Sequence, residues 1–397
     1  MNNQSSGADF YKASGVDLEA GDAFSKYSGD ICRASYKNSP HVLITDWSKG
    51  HFRGPRGWEF TGLPAGRKNV GGADGIGTKT ILVTAADMID CEPREMRRVA
   101  RNLLAMCAGD ITRWGGLPLL FMDSLEVNKL GDLDSFSFMA YKAAMDGLGD
   151  CAKEQGYVIY SGETAEMSDC VSSEIRDACL AFNWTGTMIG VNHPEKLIDG
   201  SSLRPGLVVM ALWDALRSNG ASAIRKFFRD LFGKEWWLTR SDLAQKYMKE
   251  AAKPAVLYDR FLTELNGWHD PEWRPKIKAY AIAHLSGGGL KDKFAEPLLF
   301  PRGLGAVLDN LHEPPEVVKH CVVHAKMSDE KAYRTFNGGQ GALVVIEQED
   351  EQAFVKSADE YGLPSKNAGQ IIKCGGEPYV QVISKFSGKV FEIRPEG

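Results

Sequence analysis

The spacing of hydrophobic and polar positions divides the chain into an irregular beginning and two stretches of alternating strands and helices. Residues 1 to about 68 are polar and rich in glycine, which predicts irregular structure with a mobile loop at 47–57. From Val70 to about Gly190, short apolar runs typical of strands alternate with segments of helical period. The turn-rich segment 192–206 then predicts a boundary, so we expect two domains, at 1–191 and 192–397.

The predicted elements follow the same mixed order on both sides of this boundary. Before it they are a helix at 102–111, a strand at 117–122, a helix at 135–154, and strands at 157–160 and 181–190. After it they are a strand at 207–212, a helix at 221–232, a strand at 279–284, a helix after Gly289, a strand at 341–346 and a helix at 350–361. With no short tandem repeat, this order predicts two α/β or α+β domains rather than a single barrel or a solenoid.

Composition and charge narrow the function classes. Hydrophobic residues make up 43% and charged residues 25% of the 397 positions, which is typical of a globular protein. The net charge of -5 argues against a broad basic surface for nucleic acid, although it leaves room for a local anion pocket. No apolar run has the length of a membrane helix, and residues 1–9 carry no export signal. Eight scattered cysteines are typical of a reduced protein, so we expect a cytoplasmic one.

The first candidate for chemistry is the segment 71–79, Gly-Gly-Ala-Asp-Gly-Ile-Gly-Thr-Lys. Closely spaced glycines let a backbone turn approach a ligand, while Asp74 and Lys79 place a carboxylate and an ammonium beside it. A phosphate with Mg²⁺ needs this mixture of groups. The strict P-loop pattern is absent because Thr78 stands before the lysine, so an ordinary glycine turn remains the alternative.

Further acids stand where apolar runs stop. Asp110 ends a helical run, Asp123 follows a predicted strand, and Glu163 and Glu166 lie in 161–167 after another. Open α/β folds bind ligands at such positions, so these acids on separate loops could converge with Asp74 on one or two Mg²⁺ ions. Helix caps and turns use the same residues, and that alternative stays open.

The second half repeats the strand–glycine–helix order. His284 ends a predicted strand, and the glycines at 287–289 precede a helical segment. Glycines that open a helix expose unpaired N–H groups at its positive end, which favours an anion. His284 could donate to a phosphate or move a proton near neutral pH, while a structural histidine is the alternative.

Taken in order, the motifs resemble those of the aminoimidazole ribonucleotide synthetase (phosphoribosylformylglycinamidine cyclo-ligase) family. The matching stretches, which run in the family's order, are 11–21, 74–79, 102–110, 162–167, 218–220, 281–289 and 333–337. The resemblance implies an N-terminal mixed-sheet domain that closes a β-barrel with a second subunit, and a C-terminal α/β layered domain. It also implies ATP and Mg²⁺, a homodimer, no nucleic-acid partner, and phosphorylation of the formyl amide oxygen of formylglycinamidine ribonucleotide. An internal nitrogen then closes the imidazole ring as phosphate leaves.

The resemblance assigns roles residue by residue. Catalysis falls to His284, Lys12 and Asp123, and the metal to Asp74, Asp110 and Glu163. The nucleotide-binding set is Asp74, Gly75, Gly77, Thr78, Lys79, Asp110 and Glu163. The substrate phosphate falls to Ser218, Asn219, Gly287, Gly288 and Gly289.

Three departures from the family pattern qualify these roles. The segment 46–68 is longer and differently composed, Arg217 stands where a histidine is expected, and Gly338 and Gln340 alter a later glycine turn. Arginine cannot shuttle protons, although it can hold a phosphate. Two alternatives therefore remain: a sister kinase or synthetase acting on another acceptor, and a degenerate paralogue that only binds nucleotide.

Overall fold

A computed structural model describes residues 16–47, 56–176 and 180–396 of the chain. The helices are α1 (Leu18–Ser35), α2 (Lys79–Asp90), α3 (Arg94–Arg98), α4 (Ala100–Thr112), α5 (Phe136–Gln155), α6 (Ala221–Phe232), α7 (Asp242–Ala252), α8 (Asp259–Leu265), α9 (Glu316–His324), α10 (Asp329–Thr335) and α11 (Glu351–Glu360). The strands are β1 (Val42–Asp46), β2 (Arg56–Phe60), β3 (Lys68–Gly75), β4 (Leu117–Val127), β5 (Val158–Glu166), β6 (Phe182–Asn192), β7 (Val208–Trp213), β8 (Ala281–His284), β9 (Leu304–Leu308), β10 (Gln340–Ile346), β11 (Ser365–Lys373), β12 (Val380–Ile383) and β13 (Val390–Ile393).

Helix α1 occupies a region that the sequence pattern predicted to be irregular, so that prediction was wrong. Asp17 caps the helix by accepting hydrogen bonds from the N–H groups of Glu19 and Ala20. Its buried face is built mainly from small residues, with Phe24 as the one large apolar side chain. A face of this kind has little apolar periodicity, which explains why the helix was missed.

The first half of the chain is built on a four-stranded sheet in the order β3-β6-β4-β5. Adjacent strands of this sheet are antiparallel, except that β4 and β5 are parallel and are connected through α5. One face packs against α1, α4 and α5 around buried residues such as Phe121 and Trp184. The opposite face is partly covered by the β1–β2 hairpin and by Trp268 from the second half. The sheet is open in a single chain, so the barrel across a dimer interface stays a prediction.

The second half is built on a seven-stranded sheet in the order β13-β12-β9-β11-β7-β10-β8. All described pairings are antiparallel except that of β12 with β9. One face packs against a π-helical segment, Lys291–Leu299, and the other against α8 and α11. This is the layered α/β arrangement that was predicted.

The two halves meet through helices as well as through loops. Leu82 and Ala85 of α2 belong to a buried cluster with α6, α7 and α9, which also contains the fully buried Phe228 and Trp236. Helix α2 therefore joins the first glycine loop to the second half. In the part of the chain that the structure describes, no helix is both long and apolar enough to cross a membrane.

Candidate active site

The loop between β3 and α2 opens onto a cavity. Gly77 has a φ of +62°, and Thr78 at the helix N-cap makes no side-chain capping hydrogen bond. Both residues line a cavity of about 260 Å³ whose other walls include Phe182 and Asn183. Uncapped N–H groups at the start of a helix favour an anion, so this loop has the geometry of a phosphate site.

Lys79 points away from this cavity. Its side chain is fully buried, and its Nζ donates to the carbonyl oxygen of Leu216 at 2.5 Å. Burial lowers the pKa of Lys79 to about 7, although the nearby Asp214 opposes the shift. The structure therefore places the ammonium against the second half of the chain, which differs from the predicted position beside a phosphate.

Asp74 and Asp110 lie near the same end of the sheet, because the last turns of α4 cross β3. A side chain added at Gly72 would lie 3.9 Å from the Cβ of Asp110, and the Sγ of Cys107 lies 3.8 Å from the carbonyl oxygen of Asp74. Both carboxylates are partly exposed; that of Asp74 accepts from the N–H of Gly75. Mg²⁺ often binds through one or two carboxylates plus phosphates, and this pair fits that donor set.

Asp123 lies inside β4 rather than on a loop after it. It is only 8% exposed, and its Oδ2 accepts a hydrogen bond of 2.7 Å from Trp184 Nε1. Its Oδ1 has no hydrogen-bond partner among the described residues and borders a cavity of about 110 Å³ beneath α1. Burial raises the pKa of Asp123 to about 7, against the effect of the Trp184 hydrogen bond, so this carboxyl can exchange a proton near neutral pH.

Glu163 lies on the other face of the sheet. It pairs with Ser124, whereas Asp123 pairs with Gly162, and successive residues of a strand point to opposite faces. The carboxylate of Glu163 is exposed there. Glu166 is instead structural, because it accepts from the N–H groups of Asp17 and Leu130.

The acids that were expected on four loops lie within regular elements, and their convergence on a metal stays a prediction. Asp74, Asp123 and Glu163 lie within strands and Asp110 within a helix. Across residues 16–47, 56–176 and 180–396, no three His, Cys, Asp or Glu side chains lie close enough to share a metal ion. Of the predicted metal set, Asp74 and Asp110 lie on the helix-covered face of the sheet and Glu163 on the opposite face; its role in binding a metal stays a prediction.

His284 meets the first half of the chain. Its ring is buried against Gly109 of α4, where any side chain would overlap the imidazole, and it makes an edge contact with Tyr258. Burial, together with the charge of Arg217, holds the pKa of His284 well below its usual range. The imidazole is therefore neutral, and its Nε2 has no hydrogen-bond partner in the described part of the chain. Because Gly109 precedes Asp110, the structure brings together predicted site residues from both halves.

The glycines that follow His284 are more tightly packed than a phosphate loop requires. A side chain at Gly288 would overlap the carboxylate of Asp292, and one at Gly289 would overlap the carbonyl oxygen of Tyr333. Only Gly287 is open, with no atoms near its hypothetical Cβ. The carboxylate of Asp292 lies in the first turn of the following helix, next to Gly288, and binding of a substrate phosphate by these glycines stays a prediction.

The turn at 218–220 faces the first glycine loop. Thr78 Oγ1 and Ser222 Oγ of α6 lie 3.0 Å apart. Asn219 donates to the carbonyl oxygen of Thr335, while its Oδ1 and the Oγ of Ser218 have no hydrogen-bond partner among the described residues. These two side-chain oxygens leave the turn able to bind a ligand.

Arg217 does not hold a phosphate. It is 1% exposed, and its Nε lies 2.9 Å from the Oδ2 of the fully buried Asp214. Sequence reasoning missed Asp214, although an acid directly after a buried strand was the signal that identified Asp123. It also missed Tyr258, which no motif marks. The catalytic candidate Lys12 lies outside the described residues.

The fold and the site define an α/β protein of two unlike halves, with glycine-bearing strand–helix junctions where they meet. The same fold occurs in the hydrogenase maturation protein HypE, with a TM-score of 0.54 and 14% identity over 85% of this chain and 91% of that one. It also occurs in a thiamine-monophosphate kinase from Stenotrophomonas maltophilia, with a TM-score of 0.52 and 13% identity over 89% of this chain and 94% of that one.

The family follows from models of both halves. The N-terminal domain of the AIR synthase related proteins matches residues 63–190, and their C-terminal domain matches residues 205–381. The chain belongs to the AIR synthase related family. It is 29% identical over 364 residues to the phosphoribosylformylglycinamidine cyclo-ligase of Pseudothermotoga lettingae, covering 91% of this chain and 96% of that one. With the enzyme of the same name from Geotalea daltonii it shares 29% over 370 residues, or 92% and 95% of the two chains.

Proposed function

We propose that the protein is an ATP-dependent cyclo-ligase that converts formylglycinamidine ribonucleotide into aminoimidazole ribonucleotide, ADP and phosphate. The relatives that carry this activity in their names match the chain over more than nine-tenths of both lengths. The observation that supports the proposal most is the contact of His284 with Gly109. It joins the proton-transfer candidate of one half to the Asp110 end of the other.

The chemistry requires activation of a poor leaving group. The formyl oxygen attacks the γ-phosphorus of ATP and ADP leaves. An amidine nitrogen then attacks the activated carbon, the C–O bond breaks, phosphate departs and the nitrogen loses a proton. Most of the enzyme's contribution is positioning and charge stabilisation.

Residues of this chain fit these requirements. The N–H groups after Gly77 and Thr78 bind the nucleotide phosphates, and Asp74 with Asp110 would hold Mg²⁺. When bound, the ion would neutralise developing charge on phosphate oxygens. His284, whose Nε2 has no hydrogen-bond partner among the described residues, is the proposed acceptor of the proton that the attacking nitrogen loses, and Asp123 supplies a second titrating group. Ser218, Asn219 and Gly287 bind the substrate phosphate; the role of Lys12 stays a prediction.

We propose further that the enzyme is a cytoplasmic homodimer with domains at 1–191 and 192–397. The resemblance implies the dimer, and the exposed side of the first sheet, which carries Ala73 and Glu163, is the surface on which a second copy would close the barrel. Sedimentation velocity at micromolar concentration measures the oligomeric state, and a monomer would contradict this part.

One observation favours a sister activity on another acceptor. The family's histidine is replaced by Arg217, which is buried in an ion pair and not available to substrate. A changed substrate site is the second candidate function.

The experiment that decides is a turnover assay with an acceptor panel. Purified protein with ATP, Mg²⁺ and formylglycinamidine ribonucleotide should release ADP and form the aminoimidazole in equal amounts. Asp74→Asn should abolish binding of MgATP, while Asp359→Asn, an exposed acid on α11, is the matched control. ADP release only with thiamine phosphate or another acceptor would support the sister activity, and no turnover with any acceptor would refute both.

A further inference from the structure

The carbonyl oxygen of Gly341 is the point at which three donors meet. Tyr258 donates its hydroxyl at 2.7 Å, Leu285 its N–H at 3.0 Å, and Arg217 its Nη1 at 3.4 Å. Leu285 directly follows His284, and Ala342, which follows Gly341, pairs with His284 across β10 and β8. This acceptor therefore joins Tyr258 and Arg217 to the end of β8, next to His284.

The pair Asp214–Arg217 holds this arrangement from the other side. The Oδ1 of Asp214 accepts from the N–H groups of Ala215 and Val256, at 2.8 and 2.9 Å. Its Oδ2 lies 2.9 Å from Arg217 Nε. The guanidinium also lies over the ring of Tyr258, 5.4 Å from its centre. Both charged side chains have at most 1% of their surface exposed.

We infer that Arg217 and Asp214 are positioning residues, which fix the backbone beside His284 through the Gly341 carbonyl and thereby set the imidazole against Gly109. The extended guanidinium of arginine is required, because its Nε lies in an ion pair with Asp214 Oδ2 while its Nη1 donates to the Gly341 carbonyl. Lysine has a single nitrogen and can satisfy only one of them. The residue that departs from the family pattern is thus a support for the predicted proton acceptor rather than a lost catalytic group.

The kinetic consequence of this inference rests on the proposed cyclo-ligase activity, but its structural consequence does not. The structural readout is hydrogen exchange of the full-length protein, measured by mass spectrometry on peptides that cover 281–290. The kinetic readout is the division of the effect between kcat and KM for formylglycinamidine ribonucleotide. A residue that only stabilises the fold would move neither of these selectively.

Two variants remove different parts of the arrangement. Arg217→Lys keeps a positive charge beside Asp214 but loses the fork, and Tyr258→Phe removes one donor to Gly341 while leaving the ion pair intact. Asp87→Asn is the matched control, because Asp87 is a buried acid of α2 that accepts from the N–H groups of Glu95 and Met96. It tests the effect of losing a comparable buried contact elsewhere.

In Arg217→Lys, we expect the backbone amides of 285–290 to exchange hydrogen about tenfold faster than in the parent. We also expect kcat to fall about tenfold or more with KM nearly unchanged, since small displacements of reacting groups have effects of this size. Tyr258→Phe should show the same pattern at about threefold, which keeps the test informative should the lysine variant fail to fold. Asp87→Asn should leave exchange at 285–290 at the parent rate. Unchanged exchange in the two test variants, or a loss confined to KM, would overturn the inference. A parent protein without cyclo-ligase activity would refute the proposed function alone, and the exchange rates would still decide this inference.

Discussion

The two junctions of strand, glycine turn and helix are similar in sequence but opposite in packing. At the first junction, Gly77 has a positive φ and nothing near its hypothetical Cβ, and the helix start opens onto a cavity. At the second, Gly288 and Gly289 also have positive φ, but they are enclosed by Asp292 and Tyr333. The same residue type therefore provides space for a ligand at one junction and close packing of the protein at the other.

This difference separates two functions that a glycine motif alone cannot distinguish. The first junction exposes N–H groups for an anion and directs its lysine inward. The second junction encloses its glycines beside a buried His284, with the Asp292 carboxylate next to Gly288. We therefore predict that a phosphate binds at the first junction and that the second mainly positions His284.

Alanine at a glycine of each junction gives the largest expected contrast. Gly289→Ala should lower the free energy of unfolding by about 4 kcal/mol or more, because the new Cβ overlaps the Tyr333 carbonyl in addition to the strain of positive φ. Gly77→Ala has the same strain without the overlap, so it should cost about 1 kcal/mol. Urea unfolding measures both, and equal costs would contradict the contrast.

Replacing the buried lysine of the first junction should change how stability depends on pH. The pKa of Lys79 falls from 10.5 to about 7 on folding, so between these values the unfolded chain binds more protons than the folded one. Stability of the parent should therefore rise with pH in this window, by up to about 1.4 kcal/mol per unit from this group. Lys79→Met should lack that contribution. Parallel stability curves for parent and variant between pH 7 and 9.5 would show that Lys79 stays charged.

Removing the carboxylate at the second junction tests whether any phosphate binds there. Asp292→Asn takes a like charge away from the helix start, so KM for formylglycinamidine ribonucleotide should fall about threefold to tenfold if the substrate phosphate contacts Gly287. Asp309→Asn, an exposed acid that follows β9, is the control. An unchanged KM would indicate that the substrate phosphate binds at the turn 218–220 and not at Gly287.

The smallest effect is expected from Thr78→Ala. The variant loses one exposed hydroxyl contact with Ser222, worth about 1 kcal/mol or less. KM for ATP should rise about twofold to fivefold, because the hydroxyl lies where the phosphates are expected. The single variant Ser222→Ala is the control, because it loses the same contact but keeps the Thr78 hydroxyl. An equal rise in KM for ATP in this variant would show that the effect comes from the lost contact.

Much of the fold could be predicted from the sequence, because the apolar residues of the core recur with the period of a helix or a strand in most elements. Helix α6 has the predicted bounds 221–232, and β7, β8 and β10 lie within a residue or two of theirs. Helix α1 was missed because small residues form its buried face, and the polar continuations of β3, β4 and β5 were taken for loops. In those strands, one face is exposed or faces a ligand and carries polar residues, so the sequence lacks the continuous apolar run by which a buried strand is predicted.

The roles of the predicted site residues stay predictions, but some of their positions can be compared with the structure. His284 was correctly placed at a strand end, and it contacts Gly109, the neighbour of Asp110, across the two halves. The burial of Lys79 against Leu216 and the hydrogen bond of Tyr258 to Gly341 depend on contacts between residues distant in sequence. Periodicity and motif spacing carry no information about such contacts.

Tracing the formyl oxygen of the substrate tests directly whether the enzyme phosphorylates it. Formylglycinamidine ribonucleotide labelled with ¹⁸O at the formyl oxygen is turned over with ATP and Mg²⁺, and the released phosphate is analysed by mass spectrometry. Phosphorylation of the formyl oxygen predicts one ¹⁸O atom in each phosphate and one aminoimidazole ribonucleotide for each ADP. Unlabelled phosphate, or ADP released without the aminoimidazole, would contradict it.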